Sequence, residues 1–425
     1  MYLNEHNRFA DKGKNLSNSS DTIHLPRHRW YYFKEGFSPN LIKMALDESY
    51  CPEKSVFDPF CGGGTVALTC RLNNINALGY EVNPFLAFLG NTKLLQADLH
   101  TFKLCLRDVI EAACRGTIST LEEESTFCES SNATKWLFNR DVLRGFEGGW
   151  QATTGFDVPE RDLMRLALIS AAMDSCNAQK DGKCLRYRTN WKAQAFNRDT
   201  FLMNFTLRTK QILQDLEIAP IIKTCEAIKL YDARNPNPMD QEIKFRLCIT
   251  SPPYLNSFDY SDVYRPELFL GKYVANNKEL QSLRHKILRS HVQINWAKPT
   301  QNGFGETYYS VLERIIQRAD LLWDKRLPLM IQAYFEDIML VLQNLRTMAH
   351  DSAILWLVVS TSAYVGVEVP VDLIIADIGN KVGWKPQEVN LLRYLRSSGQ
   401  HWNNYAGSQD EKPHLRESII IFHAN

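Results

Sequence analysis

Short apolar runs, each closed by a charged or turn-forming residue, recur along this chain. Between them lie longer stretches in which apolar residues return every three or four positions. The short runs read as strands near residues 55, 77, 227, 246, 354, 389 and 419. Ala353 to Val359 is apolar throughout, as a strand covered on both faces should be. The longer stretches read as helices: Leu41, Ile42, Ala45 and Leu46 after Ser38-Pro39, then Val66–Leu72, Asp162–Met173, Thr206–Leu216, Asp259–Leu270 and Val371–Val382. Asp320–Met348 is a further long helical stretch that Pro328 interrupts. Strands alternating with helices predict an α/β sheet. Residues 86–218 break the alternation and read as mostly helical, and residues 1–22 are polar and read as a flexible leader.

Four strand ends carry candidate chemistry. Ser55–Phe60 runs into Cys61-Gly62-Gly63-Gly64-Thr65 and then a helix, and the next strand, Ala77–Glu81, ends in an acid. Glycines let a backbone approach a nucleotide-like ligand, and a carboxylate about 20 residues on can accept from ribose hydroxyls. The spacing is Phe60-x-Gly62-x-Gly64 rather than G-x-G-x-x-G. The strand at Ile228 leads to Asp232. The strand Phe245–Ile249 ends at Thr250-Ser251-Pro252-Pro253-Tyr254, where two prolines forbid its continuation. Strand ends of this kind are where α/β sheets bind ligands. Ser251 and the carbonyl of Pro252 can accept the two N–H bonds of an exocyclic amine, while Tyr254 offers a stacking face.

Charge narrows the picture. The 49 Lys and Arg nearly balance the 48 Asp and Glu, so any nucleic-acid surface must be local. Two basic–aromatic windows qualify. Lys183, Arg186, Arg188, Lys192 and Arg198 interleave with Tyr187, Trp191 and Phe196. Arg284, Lys286, Arg289 and Lys298 share a window with Trp296 that lacks acids from Leu280 to Gly305. The ten cysteines include no C-x-x-C pair, and His24, His28, His285 and His291 lack metal-ligand spacing. No apolar run approaches the ~20 residues of a membrane span. A cytoplasmic protein with no metal and no membrane is expected.

Asp58-Pro59-Phe60-Cys61-Gly62-Gly63-Gly64-Thr65 followed by Ser251-Pro252-Pro253-Tyr254 resembles the DNA amino-methyltransferases, which use S-adenosylmethionine. The resemblance covers about residues 24–95, 225–270 and 350–425. It implies a Rossmann-like seven-stranded sheet whose last strand runs antiparallel, with a large mostly helical insertion. It implies cofactor contacts from Lys34, Phe37, Asp58, Pro59, Phe60, Gly62, Gly64, Thr65, Glu81 on the ribose and Asp232 on the adenine amine. Gly62 and Gly64 would wrap the methionine end. Ser251, Pro252, Pro253 and Tyr254 would be catalytic, acting on a base flipped out of double-stranded DNA. The serine form is typical of cytosine-N4 enzymes; adenine-N6 and RNA-base methylation are the alternatives, with a non-catalytic binding subunit behind them. A restriction–modification setting with a cognate restriction endonuclease would follow.

On this reading residues 1–22 are a leader, 23–95 the cofactor half, 96–218 a helical insert and 219–270 the catalytic part. Residues 271–350 form a basic, helical segment and 351–425 complete the sheet. The insert, with Arg186, Arg188 and Lys192, and the later segment, with Arg284, Lys286 and Arg289, are the expected DNA contacts.

Overall fold

The computed structural model describes residues 2–10, 12–49, 55–124, 126–130, 133–181, 184–222, 227–235, 244–395 and 413–425. In chain order the strands are β1 (Ser55–Asp58), β2 (Asn76–Glu81), β3 (Ala178–Asp181), β4 (Cys184–Tyr187), β5 (Ile228–Leu230), β6 (Phe245–Thr250), β7 (Ala349–Ser360), β8 (Ser362–Tyr364), β9 (Val367–Val369), β10 (Trp384–Tyr394) and β11 (Arg416–Ala424). Seven of these form one sheet in the order β10-β11-β7-β6-β1-β2-β5. β11 is antiparallel to both its neighbours, and every other pair is parallel. The α/β class, the seven strand positions and the antiparallel last strand all match the sequence expectation.

Both faces of the sheet are covered, which is why its inner strands β7 and β11 carry long buried apolar runs. Along β7, Leu355, Leu357 and Val359 pack with the helices Leu327–Met348 and Val371–Lys381. Ile354, Trp356 and Val358 point the other way, toward Pro39–Glu48 and Thr65–Leu72. The helix Pro39–Glu48 begins where the side chain of Ser38 accepts from Asn40 N at 3.1 Å, with proline in its first turn.

Four expectations are corrected. Residues 2–10 and 12–22 are not a loose leader: Asn4 N donates to Val389 O at 2.8 Å, and Phe9 is fully buried against Trp356. Two apolar anchors, Phe9 and Leu16, outweigh the polar composition of the segment. Within the insert, β3 and β4 make a hairpin among the helices Leu99–Arg115, Arg140–Ala152, Glu160–Asp174 and Arg198–Ile218. Its strands are four residues each, too short for periodicity to mark them. Pro328 does not interrupt a helix but sits in the first turn of Leu327–Met348, where a missing N–H costs nothing. The stretch after Asp259 is two short helices, Tyr260–Val263 and Arg265–Leu270.

The insert shares one apolar core with Trp30, Tyr31, Phe85 and Tyr264, so it is fused to the parts of the chain that carry the strand ends. Among the described residues no helix is long and apolar enough to cross a membrane.

Candidate active site

β1 is the strand from which the chain winds outward in both directions, to β2 and β5 on one side and β6 on the other. The crevice beyond the carboxyl ends of β1 and β6 is therefore the place where a sheet of this topology binds ligands. A cavity of ≈ 600 Å³ lies there. Lys34, Phe37, Asp58, Pro59, Phe60, Gly62, Thr65, Glu81 and Asp232 line it, together with Ser251, Pro252, Pro253 and Tyr254.

The half over β1 and β2 is built by the glycine turn. Gly62 and Gly64 have φ of 50° and 79°, a left-handed conformation that favours glycine. A Cβ on Gly62 would come within 2.7 Å of the Phe33 ring, which lies across the turn. Gly62 N and Asn83 N each donate to the Glu81 carboxylate at 2.8 Å. Asp58 accepts from Thr250 Oγ1 at 2.6 Å and from Phe60 N at 3.0 Å. Gly64 departs from its expected role: it does not line the cavity, and a Cβ there would meet Gly90 Cα at 2.6 Å. It is small so that the helices Thr65–Leu72 and Pro84–Thr92 can approach. Asp232 departs in part, because Arg234 grips its carboxylate through Nε and Nη2 at 3.0 and 2.7 Å. A contact from Asp232 to an adenine amine has to compete with that pairing.

The half over β6 and β11 holds the strand end that the prolines terminate. Ser251 Oγ donates to Tyr254 Oη at 3.4 Å, and Tyr254 Oη donates to Glu417 Oε1 at 3.4 Å. Glu417 in turn receives Arg393 Nε at 2.5 Å. Among the described residues, no donor meets the carbonyl oxygen of Pro252. Arg393 and Glu417 were not singled out from sequence. Lys385 and Glu388 on β10 and Arg416 on β11 are charged as well, so composition did not mark this pair. Lys93 was also missed; it is buried beneath the glycine turn, donates to Gly63 O at 3.1 Å, and burial lowers it to about 7.

The basic candidates separate into different environments. Lys286 lines the cavity and is exposed. Arg186 is exposed beside Asp181, and Lys192 lies over the rings of Trp136 and Trp191. Arg188 is turned inward, donating through Nε to Cys176 O at 2.8 Å. Arg284 pairs with Asp259 at 2.9 Å and Asp262 at 3.2 Å. Arg289 does not reach a surface: it is 8% exposed and paired with Glu336 and Asp337 at 2.6 and 2.7 Å. Its acids come from a helix 47 residues away in sequence, which local composition cannot reveal. Lys183 lies outside the described residues.

The cofactor half fits S-adenosylmethionine. It offers acids for cationic and hydroxyl groups, the aromatic faces of Phe37 and Phe60, and a turn kept open by glycine. Burial raises the Asp58 carboxyl to about 7, offset in part by Thr250 and Phe60 N–H, and burial raises Glu81 as well. A carboxyl raised in the folded state stabilises the empty protein fully below the unfolded value near 3.8, and that contribution fades as pH rises through about 7. A cationic ligand favours the ionised form instead. Cofactor affinity should therefore rise with pH up to about 7, with proton release on binding. Calorimetry in buffers of different ionisation heat measures that release, and Asp58→Asn should remove most of it.

A family model described as DNA methylase, of the N6/N4 type, matches residues 5–88. Type II methyltransferase M.BsoBI of Geobacillus stearothermophilus is 24% identical, covering 98% of this chain and 93% of that protein. Type II methyltransferase M.AvaI of Nostoc sp. and of Anabaena variabilis is 26% identical, covering 86% of this chain and 81% of that protein. The sheet, the cavity at its switch point and these similarities agree on one likeness: the chain is similar to the S-adenosylmethionine-dependent DNA amino-methyltransferases.

Proposed function

We propose that this enzyme methylates the exocyclic N4 amine of cytosine in double-stranded DNA, as the modification half of a restriction–modification system. The observation that carries the reading is Ser251 at the head of the proline-terminated strand end, inside the cavity and beside Tyr254. Serine at this position is the form typical of cytosine-N4 enzymes. The Type II methyltransferases that resemble the chain over nearly its whole length support the biological setting.

Bound S-adenosylmethionine supplies an electrophilic methyl group on a sulfonium sulfur. The chain's own part is positioning. A cytosine amine is a weak nucleophile because its lone pair is delocalised into the ring. The hydroxyl proton of Ser251 is directed to Tyr254, so its lone pairs remain to accept one N–H, while Pro252 O accepts the other. Held in this way, the amine tilts toward tetrahedral geometry. Orientation of this kind can contribute about 7–11 kcal/mol in well-ordered systems. The base must leave the duplex to reach the shelf, and Tyr254 is its stacking partner. Lys286 at the cavity and the exposed Arg186 and Lys192 on the insert would meet phosphates, a reading their exposure supports.

Digestion of DNA methylated by the purified enzyme, followed by mass spectrometry of the nucleosides, should give N4-methylcytosine. N6-methyladenine as the product would overturn the assignment.

A further inference from the structure

We propose that Arg393, held in place by Glu417, reads the N3 and O2 edge of the target cytosine and so sets the enzyme's discrimination against adenine. This inference rests on the cytosine-N4 reading and adds the residue that enforces it.

The two halves of the cavity differ in chemistry. Over β1, β2 and β5 it is lined by Asp58, Glu81 and Asp232, suited to a ligand carrying cations and hydroxyls. Over β6 and β11 it is lined by Ser251, Tyr254, Glu417 and Arg393. Ser251 Oγ and Pro252 O account for an amine and for nothing else on the ring. A base seated there still presents acceptors that need donors, and each unmet acceptor in a closed site is costly.

Arg393 is a cation of the cavity lining carried by β10, beside β11. Register pairs it with Glu417 across β10 and β11, and Glu417 with Ser360 across β11 and β7. The side chain is thus carried at the same end of the sheet as Ser251, on rigid elements. Its Nε is committed to Glu417 Oε2 at 2.5 Å. Both Nη atoms lack a hydrogen-bond partner among the described residues, although the side chain is only 27% exposed. Glu417 is 5% exposed and also receives Tyr254 Oη, so the guanidinium and the amine-binding hydroxyl are fixed by one carboxylate.

A guanidinium is a planar fork of parallel donors, matched to two neighbouring acceptors. Beside its amine, cytosine carries two acceptors in succession, N3 and O2. Adenine carries N1 and then a C–H. The fork is fully met by cytosine and half met by adenine, and a site built to make such bonds rejects the ligand that lacks one.

A double-mutant cycle tests this with the full-length enzyme and a short duplex containing its mapped site. The target cytosine is left intact or replaced by 3-deazacytosine, which keeps the amine and O2 and loses the N3 acceptor. Wild type should lose about ten- to a hundredfold in kcat on the analogue, the size of one hydrogen bond to a charged group. Arg393→Gln should lose at least that factor on cytosine, with KM for DNA and cofactor affinity unchanged, and should lose less on the analogue, where only the O2 contact remains to be removed. Because both enzymes meet the same analogue, its altered amine reactivity cancels. Glu417→Gln, which frees the fork without removing it, should show the same non-additivity if Arg393→Gln does not fold. Equal losses on both duplexes, with N4-methylcytosine as the wild-type product, would overturn the role of Arg393 alone. N6-methyladenine as the wild-type product would overturn the cytosine reading and this inference with it.

Discussion

Ser251→Ala should lower kcat about 10²- to 10³-fold, the loss seen when one preorganised hydrogen-bonding group is removed from a reacting centre. Cofactor affinity should be unchanged, because Asp58, Glu81 and the glycine turn lie on other strands. The hydroxyl is small and partly accessible, so its removal leaves no large cavity and the fold should persist. What is lost is an acceptor whose direction is set from outside. Glu417 can only accept when ionised, so Tyr254 donates to it and Ser251 donates to Tyr254. The serine is thereby left with its lone pairs toward the amine. Tyr254→Phe should reproduce part of the loss by releasing that constraint, and combining it with Ser251→Ala should add little. Single-turnover methylation with calorimetric cofactor binding separates the two quantities. Full activity in Ser251→Ala would show that the amine is held elsewhere.

Much of this arrangement was legible in the sequence, for a physical reason. A glycine turn, a strand-terminal acid and a Pro-Pro stop are local signals, because each fixes backbone conformation at its own position. The strands of a doubly covered sheet are equally readable, since burial on both faces demands unbroken apolar runs. What escaped depends on partners distant in sequence. Arg289 looks like a DNA contact until Glu336 and Asp337 are brought against it. Gly64 looks like a cofactor glycine until Gly90 is seen at its back. Arg393 and Glu417 become a pair only once β10 and β11 lie side by side. The leader was misread because two buried apolar anchors weigh little in a polar composition and much in a packed core.

The largest stability effect is expected at Asp215. This residue sits near the end of the helix Arg198–Ile218, fully buried, and gathers donors from one short segment. Arg27 N donates to it at 2.8 Å, Trp30 Nε1 at 2.9 Å, and Arg29 Nη2 at 2.6 Å. Asp215→Ala would strand a buried backbone N–H and an indole N–H and leave Arg29 without its carboxylate. Breaking such a buried cluster from one side costs about 3–5 kcal/mol. The same segment continues through Phe33, which lies across Gly62 and Gly63, to Lys34 and Phe37 in the cavity wall. Loss of the anchor should therefore weaken cofactor binding as well as stability, although Asp215 does not line the cavity. Asp215→Asn, which keeps an acceptor oxygen but not the charge, should fall between wild type and alanine. Urea unfolding with and without cofactor measures both effects. A shift below about 1 kcal/mol, the worth of one ordinary hydrogen bond, would mean that the segment is held by its apolar contacts alone.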